Sequence, residues 1–286
     1  MRYLILIFIL MFYNTRAANT AVLNQIGGNG ESKVLNDYGE FNNYLSFNNN
    51  PVSINYLSDN KKIVEIGYVR LYNSIGYNLN SIFLNGSIST KYVNIGLGIL
   101  SFIDSDSSLF YMENRLNIVA GTDYFIKNYV KNLNFAIGFN ISLERLKILS
   151  DENIIDNNLY TANEINSDIG ASYRYRNLRF ALAGKNIFDS PYLIGGIGYL
   201  FSNISIIGIS FKYINNNIQF TLSMQNSIIG DSLILYNGIN SKEISAGIRV
   251  NIFNNIFKKK KMFLNYSINY NYELKDSHYL SIKYEF

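Results

Sequence analysis

The chain has 286 residues, of which 48% are hydrophobic and 16% charged; 25 Lys and Arg against 21 Asp and Glu give a formal net charge of +4. This much apolar and aromatic material excludes a disordered chain. The absence of Cys excludes a disulfide scaffold, a Cys-ligated metal centre and an acylated lipoprotein terminus.

Met1-Arg2, the apolar run from Tyr3 to Tyr13 and the small residues Thr15 and Ala17 have the layout of a secretory signal peptide over residues 1–17. The alternative is a membrane anchor, but 11 apolar residues fall short of the roughly 20 that a spanning helix needs. Removing Arg2 and Arg16 leaves 23 basic against 21 acidic residues, too even a balance for a nucleic-acid binder.

Residues 18–62 contain Gly27-Gly28-Asn29-Gly30 and Asn48-Asn49-Asn50-Pro51. A phosphate-binding loop would need a strand before its glycines, a helix after them and a Lys in place, and none of these is present. The segment reads as an irregular plug for the domain that follows, with Gly27, Gly28, Gly30, Asn50 and Pro51 as its candidate residues. A disordered leader is the alternative.

From residue 63 the dominant signal is two-residue alternation, the mark of strands with two chemically different faces. Leu264, Tyr266, Ile268, Tyr270 and Tyr272 interleave with Asn265, Ser267, Asn269 and Asn271. Ile218, Phe220, Leu222 and Met224 interleave with Gln219, Thr221, Ser223 and Gln225. The pattern predicts fourteen strands, near 63–70, 81–89, 93–103, 115–127, 132–144, 165–176, 178–187, 191–200, 204–213, 217–225, 231–238, 242–253, 262–273 and 279–286. Most have the 9–11 residues that cross a bilayer at a tilt. Predicted turns near 90–92, 128–131, 177 and 201–203 are short, whereas loops near 71–80, 104–114 and 145–164 are long. Short periplasmic turns, long external loops and an even strand number are the habit of bacterial outer-membrane barrels. Lys258-Lys259-Lys260-Lys261 in a longer periplasmic connection reads as a solvated turn.

These features predict an all-β fold: a 14-stranded antiparallel transmembrane β-barrel over 63–286. Closure removes the sheet edges that lipid cannot tolerate, and the abundant Tyr suits an aromatic girdle. The final strand ends in Tyr284-Glu285-Phe286. Tyr284 and Phe286 resemble the signal read by the bacterial outer-membrane barrel assembly machinery, which makes that machinery and membrane lipid the expected partners. The polar faces then line the lumen with Asp123, Asp168, Arg174, Arg179, Lys185, Lys212, Arg249, Lys283 and Glu285. Both charge signs occur, so strong ion selectivity does not follow. Gly96, Gly98, Gly138, Gly170, Ala181 and Ala183 either leave room for a plug or accommodate curvature.

The Gly-rich amino-terminal stretch, Asn50-Pro51, the fourteen strands and the terminal aromatic strand resemble the FadL-type fatty-acid transporters and their PorV-type relatives. Ile66-Gly67-Tyr68, Asn94-Ile95-Gly96-Leu97-Gly98 and Ala183-Gly184-Lys185-Asn186-Ile187 are similar too. The family's Asn-Pro-Ala is here Asn50-Pro51-Val52, and its Gly-Ala-Asp-Asp region is matched only by scattered Glu31 and Asp37. The resemblance implies a plugged outer-membrane barrel in which hydrophobic ligands, such as long-chain fatty acids, pass through pockets and a lateral opening. A PorV-like barrel docking secreted proteins, and a general diffusion porin, are the alternatives.

An enzyme is not expected. Barrel phospholipases and acyltransferases use a wall-mounted His with a Ser, whereas His278 reads as a loop residue before the last strand. Its neighbour Ser277 would point to the opposite face. One His and no Cys cannot make a zinc shell. Calcium held by loop carboxylates such as Asp104, Asp106, Asp151 and Glu152 is an alternative, though they lack the spacing of an EF-hand. No cofactor is implied.

Overall fold

The structure, a computed structural model, describes residues 33, 35, 46–57, 61–71, 79–104, 109–123, 134–150, 160–188, 191–201, 205–214, 216–230, 232–252, 260–273 and 275–286. The predicted signal segment, Gly27, Gly28 and Gly30 lie outside these residues, as do Asp106, Asp151, Glu152, Lys258 and Lys259.

No described helix is long and apolar enough to cross a membrane; the crossing is made by strands. They are β1 (Lys62–Leu71), β2 (Leu79–Ser89), β3 (Asn94–Asp104), β4 (Leu109–Thr122), β5 (Asn134–Ser150), β6 (Tyr160–Tyr175) and β7 (Leu178–Lys185). After these come β8 (Tyr192–Leu200), β9 (Ile206–Ile214), β10 (Asn217–Ile229), β11 (Leu233–Asn240), β12 (Glu243–Asn251), β13 (Lys261–Asn271) and β14 (Lys275–Glu285). Each pairs with its sequence neighbours, and β1 pairs antiparallel with β14, so the sheet closes into one barrel.

Alternation sets the two faces. In β1, Ile63, Glu65, Gly67, Val69 and Leu71 are buried inward, whereas Val64, Ile66, Tyr68 and Arg70 are exposed outward. The same parity turns Ser, Asn and charged residues inward and leaves aliphatic side chains such as Ile82, Ile118, Ile209 and Phe220 bare on the outside. A soluble sandwich would do the reverse. Greasy outside and polar inside, this is a transmembrane barrel.

The stagger follows from the register. Stepping from Thr161 strand by strand, through Lys147, Ile103, Arg70, Ala246 and Ile207, returns to β6 at Tyr175, fourteen residues along the same strand. A stagger equal to the strand number tilts the strands by about 35°, so each step climbs about 2.8 Å along the barrel axis. On that scale the exposed rings of Tyr175, Phe201 and Phe286 share one level, and those of Tyr213 and Tyr270 lie about 25 Å above it. That separation matches the height of the apolar band of an outer-membrane barrel. These are its two girdles.

The strand count agrees with the sequence expectation, but several ends differ. β4 runs from Leu109 to Thr122 rather than over 115–127, so the connection to β3 is only 105–108 and that to β5 is 123–133. The predicted contrast between a long 104–114 loop and a short 128–131 turn is therefore overturned. Most of the predicted 145–164 loop is also strand, because β5 reaches Ser150 and β6 starts at Tyr160. Thr161 lies fourteen steps above Tyr175, about 14 Å beyond the upper girdle. Outside lipid the outward face no longer has to be apolar, and Arg145 and Lys147 stand on it; the alternation that marks a strand fades there. β10 extends to Ile229, past the expected end at 225.

The last strand begins at Lys275, which places His278 inside β14 rather than in a loop. Its Nδ1 lies 2.7 Å from the Tyr266 hydroxyl and its Nε2 2.8 Å from Asp276 Oδ2. Ser277 is buried on the inner face, opposite to His278, as the alternation requires. The strand start was hidden because at girdle height both faces of Lys275-Asp276-Ser277-His278 are polar.

Two inward glycines lie beneath aromatic rings. A Cβ on Gly67 would fall 2.2 Å from Phe83 Cζ, and one on Gly247 2.2 Å from Tyr236 Cε2. Both rings are buried at 1% exposure, so neither has room to retreat. Gly67→Ala and Gly247→Ala are each expected to cost about 1–3 kcal/mol by overpacking, read as a lower urea midpoint for the barrel in detergent.

Candidate functional site in the barrel lumen

Residues 46–57 form a strap across the inner wall, with one 3-10 turn at Ser46–Asn48 and a second at Pro51–Tyr56. Local chemistry explains the second turn. Asn50 caps it by accepting from the Val52 N–H at 3.1 Å. Pro51 occupies the first turn, where its missing N–H costs nothing.

The strap lies in a trough that the register builds. Asn94, Gly121, Gly138, Gly170 and Ala183 stand in one row across β3, β4, β5, β6 and β7. Added Cβ atoms would fall 2.6 Å from Ile54 at Gly121, 2.4 Å from the Pro51 backbone at Gly138 and 2.0 Å from Asn50 at Gly170. Gly96 and Gly98 in the next rows of β3 meet Ile54, Phe47 and Asn48 in the same way. The small inward residues thus admit the strap, and only glycine lets backbone approach backbone this closely.

Above the trough, polar side chains hold the strap's rim. Lys185 Nζ donates to the Asn48 carbonyl at 2.8 Å and pairs with Asp168 Oδ2 at 2.6 Å. Asp168 also accepts from Asn140 Nδ2 at 2.7 Å and from the Asn186 N–H at 2.9 Å. Asn117 Nδ2 donates to Asn48 Oδ1 at 2.8 Å, and Asn48 Nδ2 donates to Asn85 Oδ1 at 3.3 Å. Lower down, Asn55 Nδ2 donates to the Ile137 carbonyl at 2.8 Å. Phe47, Ile54 and Leu57 pack on Ile63 and Val119, all within 3% of fully buried. Asn50 and Pro51, the described residues of the predicted plug, are both buried in the trough.

Toward the far rim the inner wall changes character. Val69, Leu71, Phe83, Leu100, Phe102 and Tyr279, from β1, β2, β3 and β14, form an apolar cluster. Beside it, Arg115 Nε pairs with Glu144 Oε1 at 2.6 Å.

The predicted lumen residues are scattered rather than gathered. Asp168, Arg179, Lys185, Lys283 and Glu285 are buried on the inner face, and Arg174, Lys212 and Arg249 share its parity but are half-buried. Asp123 is half-buried one residue beyond the end of β4. Asp168 and Lys185 meet at the strap. Lys283 Nζ lies 3.8 Å from Glu285, and Lys283 and Arg249 both stand over the Phe263 ring, at 4.8 and 5.5 Å. Lys212 Nζ stands 4.9 Å from the Tyr192 ring centroid. At the closing end the Tyr284 and Phe286 rings meet edge to face at 4.4 Å.

Asn48, Asn55, Asn85, Asn117, Asn140 and Gly121 were not anticipated. Asparagine is so frequent in this chain that no single one stands out, and the row of glycines exists only once the register is known.

No family model matches the chain, and no curated protein matches it. Among solved structures it is similar to the Ralstonia pickettii toluene transporter TbuX, at 9% identity and a TM-score of 0.63, covering 92% of this chain and 99% of that one. It is also similar to the P. putida toluene transporter TodX, at 10% identity and a TM-score of 0.58, covering 91% and 98%. At such identities the likeness is one of fold, and the fold is the outer-membrane barrel that the FadL-type resemblance implied.

Proposed function

We propose that the chain is an outer-membrane channel for small hydrophobic molecules, in which residues 18–62 plug a barrel formed by 63–286 and residues 1–17 direct export. The observation that carries this reading is the strap seated in the glycine trough beneath an apolar inner cluster. A general diffusion porin needs an open, polar passage, and a strap held by Lys185, Asn117 and Gly138 across five strands opposes one. The cluster around Phe83 and Phe102 offers the hydrocarbon surroundings that an apolar solute prefers to water. Charged solutes gain nothing there. Toluene, named for the similar TbuX and TodX, and long-chain fatty acids are the candidate cargoes.

The test is uptake of labelled toluene and of labelled long-chain fatty acid by cells with and without the gene. Loss of uptake of either, restored by the intact chain, supports the proposal. Rates unchanged for both overturn it.

A further inference from the structure

We propose that the outward face of β11 and β12 is the surface through which two copies of this chain pair side by side in the membrane, with Asn237 at its centre.

Asn237 is exposed on the outer face of β11, between Leu235 and Ile239, which are 42% and 48% exposed. In the register it lies five strand steps above Tyr175, about 14 Å along the barrel axis. That is the middle of the apolar band. Among the described outward positions within about 6 Å of that depth, all others are glycine, alanine, methionine, aliphatic or aromatic. An amide facing hydrocarbon has water on no side, and its two donors and its carbonyl go unsatisfied unless protein covers them.

The same place also lacks outward rings, a feature it shares with β2 and β3, whose Phe83 and Phe102 are turned inward. β9 and β10 carry the outward rings of Tyr213 and Phe220, and β13 those of Tyr266 and Tyr270. β11 and β12 between them carry none, because Tyr236 is turned inward at 1% exposure. Among the described residues, the upper girdle that anchors a barrel to lipid headgroups is therefore interrupted over these two strands. The bare patch is aliphatic, and Ala246, directly opposite Asn237 in the register, keeps it low enough for close approach.

The chemistry selects a second copy as the occupant. A carboxamide is donor and acceptor at once, so it is its own complement. A two-fold axis along the bilayer normal places Asn237 of both copies at one depth, where each amide can donate to the other. Interhelical amides in membranes associate by the same logic.

The chain has no Cys, so single cysteines report contacts cleanly. Ile239→Cys and Ala246→Cys, oxidised in native outer-membrane vesicles, are expected to give a disulfide-linked species of twice the chain mass. It should be at least ten-fold more abundant than for Ile66→Cys at similar depth on β1. Equal yields at all three sites, or linkage to a protein of another mass, overturn the proposal. In detergent, Asn237→Leu should weaken the dimer about three- to twenty-fold, the range of single polar contacts between membrane segments, while Asn237→Gln retains it. Leucine suits lipid, so this variant is expected to fold. Association unchanged in Asn237→Leu overturns the role of the amide.

Discussion

Replacing Gly138 by valine is expected to unseat the strap and raise single-channel conductance in planar bilayers well above that of the parent barrel. A Cβ at this position would fall 2.4 Å from the Pro51 carbonyl carbon and carbonyl oxygen. Both are backbone atoms, and no rotamer change relieves the clash. The wall itself can accept the substitution, because valine is at home in strands. The strand is also held by hydrogen bonds to β4 and β6 along its length. The strap is the weaker party, with two short 3-10 turns and a handful of side-chain bonds. The barrel should therefore keep its heat-modifiable band on gels while losing its seal. Gly86→Val is the control: its Cβ would meet only the Ile63 carbonyl oxygen at 3.8 Å. Parental conductance in Gly138→Val would mean that the strap does not obstruct the passage.

The second large effect concerns Lys185. Its ammonium joins the buried Asp168 carboxylate to the Asn48 carbonyl, so one side chain serves both wall and strap. Lys185→Met removes the cation and leaves Asp168 with only Asn140 and the Asn186 N–H as donors. Breaking one partner of a buried pair costs about 3–5 kcal/mol, because the remaining charge stays desolvated. A lowered urea midpoint in detergent is expected to show this. Adding Asp168→Asn should recover most of that loss, since no lone charge is left inside. Conductance should behave differently. Neither variant restores a donor to the Asn48 carbonyl, so both should leak, and the double variant separates loss of the latch from loss of stability. Equal leakage and equal stability with the parent would show that the pair is dispensable to both.

Much of this molecule can be read without coordinates where lipid imposes the rule. Between the two girdles most outward residues are apolar, Asn226 and Asn237 being exceptions, and strands such as β1, β13 and β14 alternate cleanly there. Outside that band the rule lapses. The upper ends of β5 and β6 and the first residues of β14 around His278 therefore escaped the pattern, β4 was displaced along the chain, and the far end of β10 was hidden by the register shift between Ser227 and Ile229. The missing aromatics of β11 and β12 were visible in the chain all along. They acquire meaning only when depth along the axis is known.

The amino-acid sequence by itself determined a closed sheet of fourteen strands, the identity of its inner and outer faces and the inward placement of Asp168 and Lys185. Period-two alternation is a local property, and a pleated strand converts it directly into two faces. Only the tertiary structure decided that Gly121, Gly138 and Gly170 share one row, that Asn48 meets Lys185 across 137 residues of chain, and that Asn237 faces the bilayer centre. Those facts depend on the stagger between strands, which sums hydrogen-bond register around the whole ring and leaves no trace in any single segment.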